Sequence, residues 1–348
     1  MATPAAQGLE SRLHVRARLG WAFVLVALVL LALLVWTRAQ MGSQPADAIT
    51  YLAAGERLNA GHALYALQAG DRPIINWAPY WTVPLLSPPP IAVLWRPLAA
   101  LPGELGVPAW LLFTGACVAI PLGLAGRRRS LVVGIALLVF DLPLSFQLMV
   151  GNVDGALLGA AFLAWFLFLG RRPGPLGALA AVMVAIKLTP LVLAIWALAA
   201  LRPVDRPRYL AWFVGTGVAV LGVSLLGAGL AAHLDYLGIA ARTATSGASP
   251  FSVGGLAQAA GLSRSIAAYL PDLVFLPGLV GAVVLRHRPA LSFAVAILAM
   301  TLGTPALYPN TLVIPLAVLA PLVWPDASSQ PMVVEVGDRM SSRGTSPA

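Results

Sequence analysis

Charge is scarce in this sequence. Of 348 residues only 10% are Asp, Glu, Lys or Arg, while 59% are hydrophobic and the mean hydropathy is +0.85. A soluble domain carries about 25% charged residues. So few ions cannot cover a water-facing surface, and lipid must cover much of this one. Cysteine is nearly absent. Cys117 stands alone inside an apolar run, which excludes a disulfide framework and a cysteine-rich metal site. His14, His62, His233 and His287 are scattered without metal-ligand spacing. No Asp-x-Asp pair occurs, so the usual metal clamp on a nucleoside diphosphate is missing. No Gly-x-x-x-x-Gly-Lys-[Ser/Thr] loop points to ATP hydrolysis. Spacing assembles neither a Ser/His/Asp triad nor an internal repeat. We expect no metal and no cofactor. Lysine occurs once, at Lys187, among 22 basic residues.

Long apolar runs are what the sequence does have. A bilayer core takes roughly 20 apolar helical residues per crossing, and the runs predict an all-α, polytopic transmembrane helical bundle of about 9–11 membrane segments. The 33 glycines and 29 prolines fit kinked and broken helices, which are tolerated where protein or water re-satisfies the backbone. A net charge of +9 would raise nucleic acid as a partner of a soluble protein. Here basic loops orient helices and meet anionic headgroups, so the expected partner is membrane lipid, with no nucleic acid.

Arginines cluster at residues 12–18, 127–129, 171–172, 202–208 and 286–288. The positive-inside rule puts all five clusters on the cytoplasmic face. Residues 1–18 then form a cytoplasmic N-terminus. The run 19–36 is too long for a signal-peptide core and reads as an uncleaved first span. Residues 38–84 form a large outer loop. The chain goes out and returns between Arg129 and Arg171, turning at Gly151-Asn152-Val153-Asp154. It does so again before Arg202, turning at Lys187-Leu188-Thr189-Pro190. Pro190 removes a backbone donor and breaks the helix there, giving two short half-helices or a re-entrant pair. Residues 209–230 cross outward, 231–264 form a second outer segment, and 266–285 return. The uncharged stretch 289–325 breaks near Gly303-Thr304-Pro305 and Tyr308-Pro309-Asn310. The membrane domain is thus 19–325, and 326–348 is a polar, Ser-rich tail expected to be disordered. Residues 85–101 are Pro-rich and interrupted by Arg96. They either dip into the bilayer or cross it against the charge rule.

This topology gathers Asp47, Tyr51, Asn152, Asp154, Lys187, Asp235, Tyr308 and Asn310 on the outer side. A lysine within a span is costly and by default marks a site with a partner; Lys187 either binds a lipid-linked phosphate or snorkels from a half-helix end. Asp47 opens an amphipathic stretch, 47–58, and shares a helix face with Tyr51 four residues on. It is either an N-cap or a general base at the membrane surface. Tyr65, Trp77, Tyr80 and Trp81 make an interfacial belt or a sugar platform. Gly151–Asp154 taken alone is compatible with a plain turn.

In their order, these landmarks resemble glycosyltransferase family 87, membrane enzymes of the GT-C superfamily that use polyprenyl-phosphate sugars. Ala46-Asp47-Ala48-Ile49-Thr50-Tyr51 looks like that family's Asp-Phe-x-x-Tyr at the start of the first outer loop. Gly61-His62-Ala63-Leu64-Tyr65 is similar to its Gly-x-x-x-Tyr, and Ser87-Pro88-Pro89-Pro90 to its Tyr-Pro-Pro. Gly151-Asn152-Val153-Asp154 looks like Gly-Gln-x-Asn, and Lys187-Leu188-Thr189-Pro190 matches Lys-x-x-Pro. Thr304-Pro305 through Leu312 resembles a late Ser-Pro-x-x-Trp…His-His stretch, with Tyr308 in place of Trp and Asn310 and Thr311 in place of the histidines.

The resemblance implies a mannosyltransferase-like enzyme with Asp47 as catalytic base and Lys187 at the donor phosphate. Tyr51, Tyr65, Asn152, Asp154, Tyr308 and Asn310 would line the substrate. Its partners would be a polyprenyl-phosphate sugar and a lipid-linked or glycan acceptor. Transfer would be inverting and would occur at the outer face of the plasma membrane, in the cell envelope. Two rivals share the outline: a transporter or flippase of a lipid-linked sugar, which the lack of an internal repeat argues against, and a non-catalytic subunit, for which the replaced histidines argue.

Overall fold

The computed structural model describes residues 4–65, 85–245 and 249–326, and these are helical and connecting segments without a strand. Trp77, Tyr80, Trp81 and the tail 327–348 lie outside the described residues. In chain order the helices are α1 (Pro4–Gln40), α2 (Ala46–Asn59), α3 (Pro89–Ala99), α4 (Gly106–Val139), α5 (Asp141–Val150), α6 (Asp154–Leu169) and α7 (Pro173–Ile186). There follow α8 (Leu191–Ala200), α9 (Arg206–Thr245), α10 (Val253–Ala259), α11 (Arg264–Ala267), α12 (Leu270–Val284), α13 (Pro289–Leu302) and, after a 3-10 helix at Pro309–Val318, α14 (Leu319–Val323).

Four stretches are long and apolar enough to cross a bilayer alone: Val15–Gln40, Gly106–Val139, Pro203–Ala241 and Arg264–His287. Asp141–Val150 and Asp154–Leu169 pass together but bend by 116° between them. Pro173–Ile186, Leu191–Ala200, Pro289–Leu302 and Pro309–Val323 are apolar and shorter. The about 9–11 segments expected at roughly 20 residues each are therefore not all full-length helices. Gly and Pro cut several of them short, as the Lys187–Pro190 break predicts.

The two ends of the bundle differ in chemistry. Arg128 lies over the Trp324 ring, 5.5 Å from its centroid, and the Trp165 indole donates to the Trp324 carbonyl at 2.9 Å. Trp196 donates to the carbonyl of Pro289, just after the 286–288 arginines. At the other end Tyr51, Trp95 and Trp110 pack ring on ring, with centroids 5.3–6.2 Å apart. Arg128 and Pro289 thus pack against an aromatic group distinct from the one around Tyr51.

Helix α4 is broken at Arg129, where φ is −141° and ψ is 58°. The chain reverses there. Ser130 then lies at the Ala17 carbonyl, and Arg38 stands over the Phe146 ring. So residues 130–150 run alongside α1 and return to the polar end. Within 85–101, helix α3 is short. Its 11 residues span about 16 Å at 1.5 Å per residue, half of a ~30 Å hydrocarbon core. It packs against α2 through Gly55, whose Cα faces the Trp95 carbonyl too closely for any side chain. Arg96 bonds Asn59 and the Gly227 carbonyl. At that length α3 is too short to cross a bilayer by itself.

Candidate active site

The site is built on the α5–α6 turn. Gly151 has φ +66°, and a Cβ there would lie 2.7 Å from Leu111 Cδ2 and 3.0 Å from the Ala48 Cβ. Only glycine takes that conformation without strain, and α2 can approach only because no side chain intervenes. The Trp110 indole donates to the Gly151 carbonyl at 2.7 Å, and Gln147 Nε2 donates to the Asn152 carbonyl at 2.6 Å. Asn152 Oδ1 accepts from the Asp154 N–H at 3.0 Å, and Asn152 Nδ2 donates to Asp47 Oδ2 at 2.8 Å.

Asp154 is the hub. Its side chain is 0% exposed. Lys187 Nζ donates to Oδ1 at 2.7 Å, while Thr311 Oγ1 and Asn310 Nδ2 donate to Oδ2 at 2.8 and 3.1 Å. A buried carboxylate is tolerated when a counter-charge and donors meet it in this way. The position at the first turn of α6 adds the favourable end of the helix dipole. Lys187 reaches it because α7 ends at that point: Lys187 is extended, with φ −151° and ψ 134°, and Pro190 starts α8. Its side chain is 22% exposed. An ammonium has three donors, and one is given to Asp154.

Asp47 sits in the first turn of α2, whose N-cap is Pro45 with no side-chain cap bond. The N-cap alternative therefore falls away, because this carboxylate points out of its own helix to Asn152. Asp47 is half-buried. Burial raises its proton affinity from the ordinary 3.8 to about 6, opposed by the Asn152 hydrogen bond, then raised by Asp154 and lowered by Lys187. Burial also pushes the Tyr51 hydroxyl up, with Asp47 adding to it. Tyr308 is 46% exposed and close enough to feel the Asp47 charge.

The fold therefore brings Asp47, Asn152, Asp154, Lys187, Tyr308 and Asn310 together. Two placements differ from direct substrate contact. Asp154 is enclosed with its acceptors engaged, and Tyr51 is 3% exposed within the aromatic packing. Both hold the site rather than line it. Tyr65 stands to one side, donating to the Ser87 carbonyl at 2.8 Å and stacked on Tyr236. Sequence reading does not single out Gln147 or Trp110. Their signal is an isolated polar atom in an apolar helix next to a glycine turn, and only the turn's geometry gives it meaning.

A family model described as glycosyltransferase family 87 matches residues 86–325. The matched span contains Asn152, Asp154, Lys187, Tyr308 and Asn310, and Asp47 precedes it. No curated protein and no solved structure matches the chain. With the broken helices and the polar cluster at one end of an apolar bundle, this match over more than half of the sequence identifies the chain as a multi-pass membrane protein that belongs to glycosyltransferase family 87.

Proposed function

We propose that this glycosyltransferase moves a sugar, mannose or one like it, from a polyprenyl-phosphate donor to a hydroxyl of a lipid-linked or glycan acceptor. One observation carries the reading. Asp47 and Lys187, distant in the chain, are joined through Asn152 and Asp154 by consecutive hydrogen bonds. A carboxylate with raised proton affinity and a partly exposed ammonium are the two groups this reaction needs.

Asp47 takes the proton of the acceptor hydroxyl as its oxygen bonds to the anomeric carbon. The bond from that carbon to the phosphate oxygen breaks, and polyprenyl phosphate leaves with the electron pair. Direct displacement inverts the anomeric configuration. Lys187, anchored by Asp154, turns its remaining N–H groups to the departing phosphate, where charge builds as the bond breaks. The polyprenyl tail lies among the apolar helix faces. The arginine end faces the cytoplasm by the charge rule, so transfer occurs at the opposite, outer face of the plasma membrane.

Purified protein and a radiolabelled polyprenyl-phosphate sugar test this directly. Asp47→Asn removes turnover and leaves donor binding largely intact. Lys187→Ala weakens donor binding by about 10–100-fold, the value of a charge-assisted hydrogen bond. Wild-type turnover in Asp47→Asn would refute the base, and unchanged donor affinity in Lys187→Ala would refute the phosphate contact.

A further inference from the structure

We propose that Asn152 is the positioning residue of this site: it selects which Asp47 oxygen is left to take the acceptor proton and keeps that carboxylate ready to accept it. The proposal rests on Asp47 being the base.

The orientation of the Asn152 amide is determined by its surroundings. Oδ1 accepts from the Asp154 N–H, so the NH2 group faces Asp47 and donates to Oδ2. A flipped amide would set two donors against each other and two acceptors against each other, which is why the network assigns the amide. The residue is also held from behind. Its carbonyl accepts from Gln147, and the Gly151 carbonyl accepts from Trp110. Three helices thus fix one amide against one carboxylate oxygen. Asp47 Oδ1 has no hydrogen-bond partner among the described residues and is the atom left for the proton.

Among the described residues, the charged and titratable groups around Asp47 are few. Tyr51 on α2, Tyr308 beyond α13, Asp154 on α6 and Lys187 at the end of α7 surround it. Arg38 is directed at the Phe146 ring and Arg96 at Asn59 and the Gly227 carbonyl. Burial and Asp154 favour the protonated carboxyl; Asn152 and Lys187 favour the charged one. Lys187 is already bonded to Asp154, so among the described residues Asn152 is the direct donor that opposes protonation.

Two variants separate positioning from mere structure. Asn152→Asp keeps the side-chain shape and an oxygen for the Asp154 N–H but donates nothing to Asp47. Asn152→Ser keeps an acceptor, adds no charge, and is too short to reach Asp47. The full chain in lipid nanodiscs is treated with a hydrophobic carbodiimide, which reacts with protonated carboxyls, across a range of pH. The adduct at Asp47 is read by mass spectrometry beside the transfer rate. The labelling midpoint rises by about one pH unit or more in both variants, and the acid limb of kcat rises with it while donor KM holds. An unchanged midpoint in either folded variant overturns the proposal. Loss of folding in both also overturns it, since Asn152 would then be structural. A shifted midpoint with no transfer by the wild type leaves the Asn152–Asp47 relation standing and removes the enzyme reading instead.

Discussion

Lys187 and Asp154, 33 residues apart in the chain, meet at 2.7 Å between the broken end of α7 and the first turn of α6. The chain's single lysine is therefore neither loose in lipid nor snorkelling freely. Asp154 holds it, and Asn310 and Thr311 hold Asp154.

Breaking that pair should cost stability. Asp154→Ala leaves an ammonium without its counter-charge and two donors without an acceptor. The expected loss is about 3 kcal/mol, the lower end for buried pairs, because Lys187 is 22% exposed and partly rehydrates. Asp154→Asn keeps an acceptor oxygen and should lose less. Adding Lys187→Met to Asp154→Asn should recover part of the loss, as coupled neighbours do. Thermal unfolding in nanodiscs measures all three; equal midpoints for wild type and Asp154→Ala would show the pair to be inert.

The wild-type rate should depend on Asp47 titration. A base must be deprotonated to act, so turnover falls on acidification through about 6, by about tenfold per pH unit well below it. Stability carries the opposite sign. The folded carboxyl binds its proton more tightly than the unfolded one, so its contribution is present below the ordinary 3.8 and is lost as pH rises through about 6. An acid limb near the unperturbed carboxylate value would mean that Asp47 is not the group being read.

Gly151→Ala tests the turn. The new methyl group would sit 2.7 Å from Leu111 Cδ2 and 3.0 Å from the Ala48 Cβ, on a backbone with φ +66°. Strain and overpacking together should cost about 2–4 kcal/mol. Transfer should fall as well, because α2 carries Asp47 on the same contact. A wild-type melting temperature in this variant would show that α2 is free to move off the turn.

Orientation is open to labelling. Cys117 is first replaced by alanine, which leaves a chain without thiols. A cysteine at the 46% exposed Tyr308 should react in intact cells with a membrane-impermeant maleimide. One at Arg129 should react only after lysis. The reverse pattern would turn the site toward the cytoplasm and end the outer-face assignment.

Much of this architecture is legible in the sequence because membrane insertion reads local properties. Apolar length, the spacing of arginine clusters and the helix-breaking Gly and Pro depend on neighbouring residues alone. They set a helical bundle and turns at Gly151–Asp154 and Lys187–Pro190. The same logic places Asp47, Lys187, Tyr308 and Asn310 at one end, since each lies at a break between runs.

Roles within that end depend on contacts between segments far apart in the chain, 33 residues for Lys187–Asp154 and 105 for Asn152–Asp47, which local pattern does not encode. Asp154 looks like a ligand in the sequence and is a fully enclosed anchor in the fold. Asn152 looks like a turn residue and is the donor to Asp47. The 85–101 stretch is apolar enough to suggest a crossing, yet it forms an 11-residue helix held at the polar end by Arg96. Hydropathy sets which residues leave water; the packing of α2, the α5–α6 turn and the 309–318 helix around one carboxylate decides which polar atoms meet once they have left it.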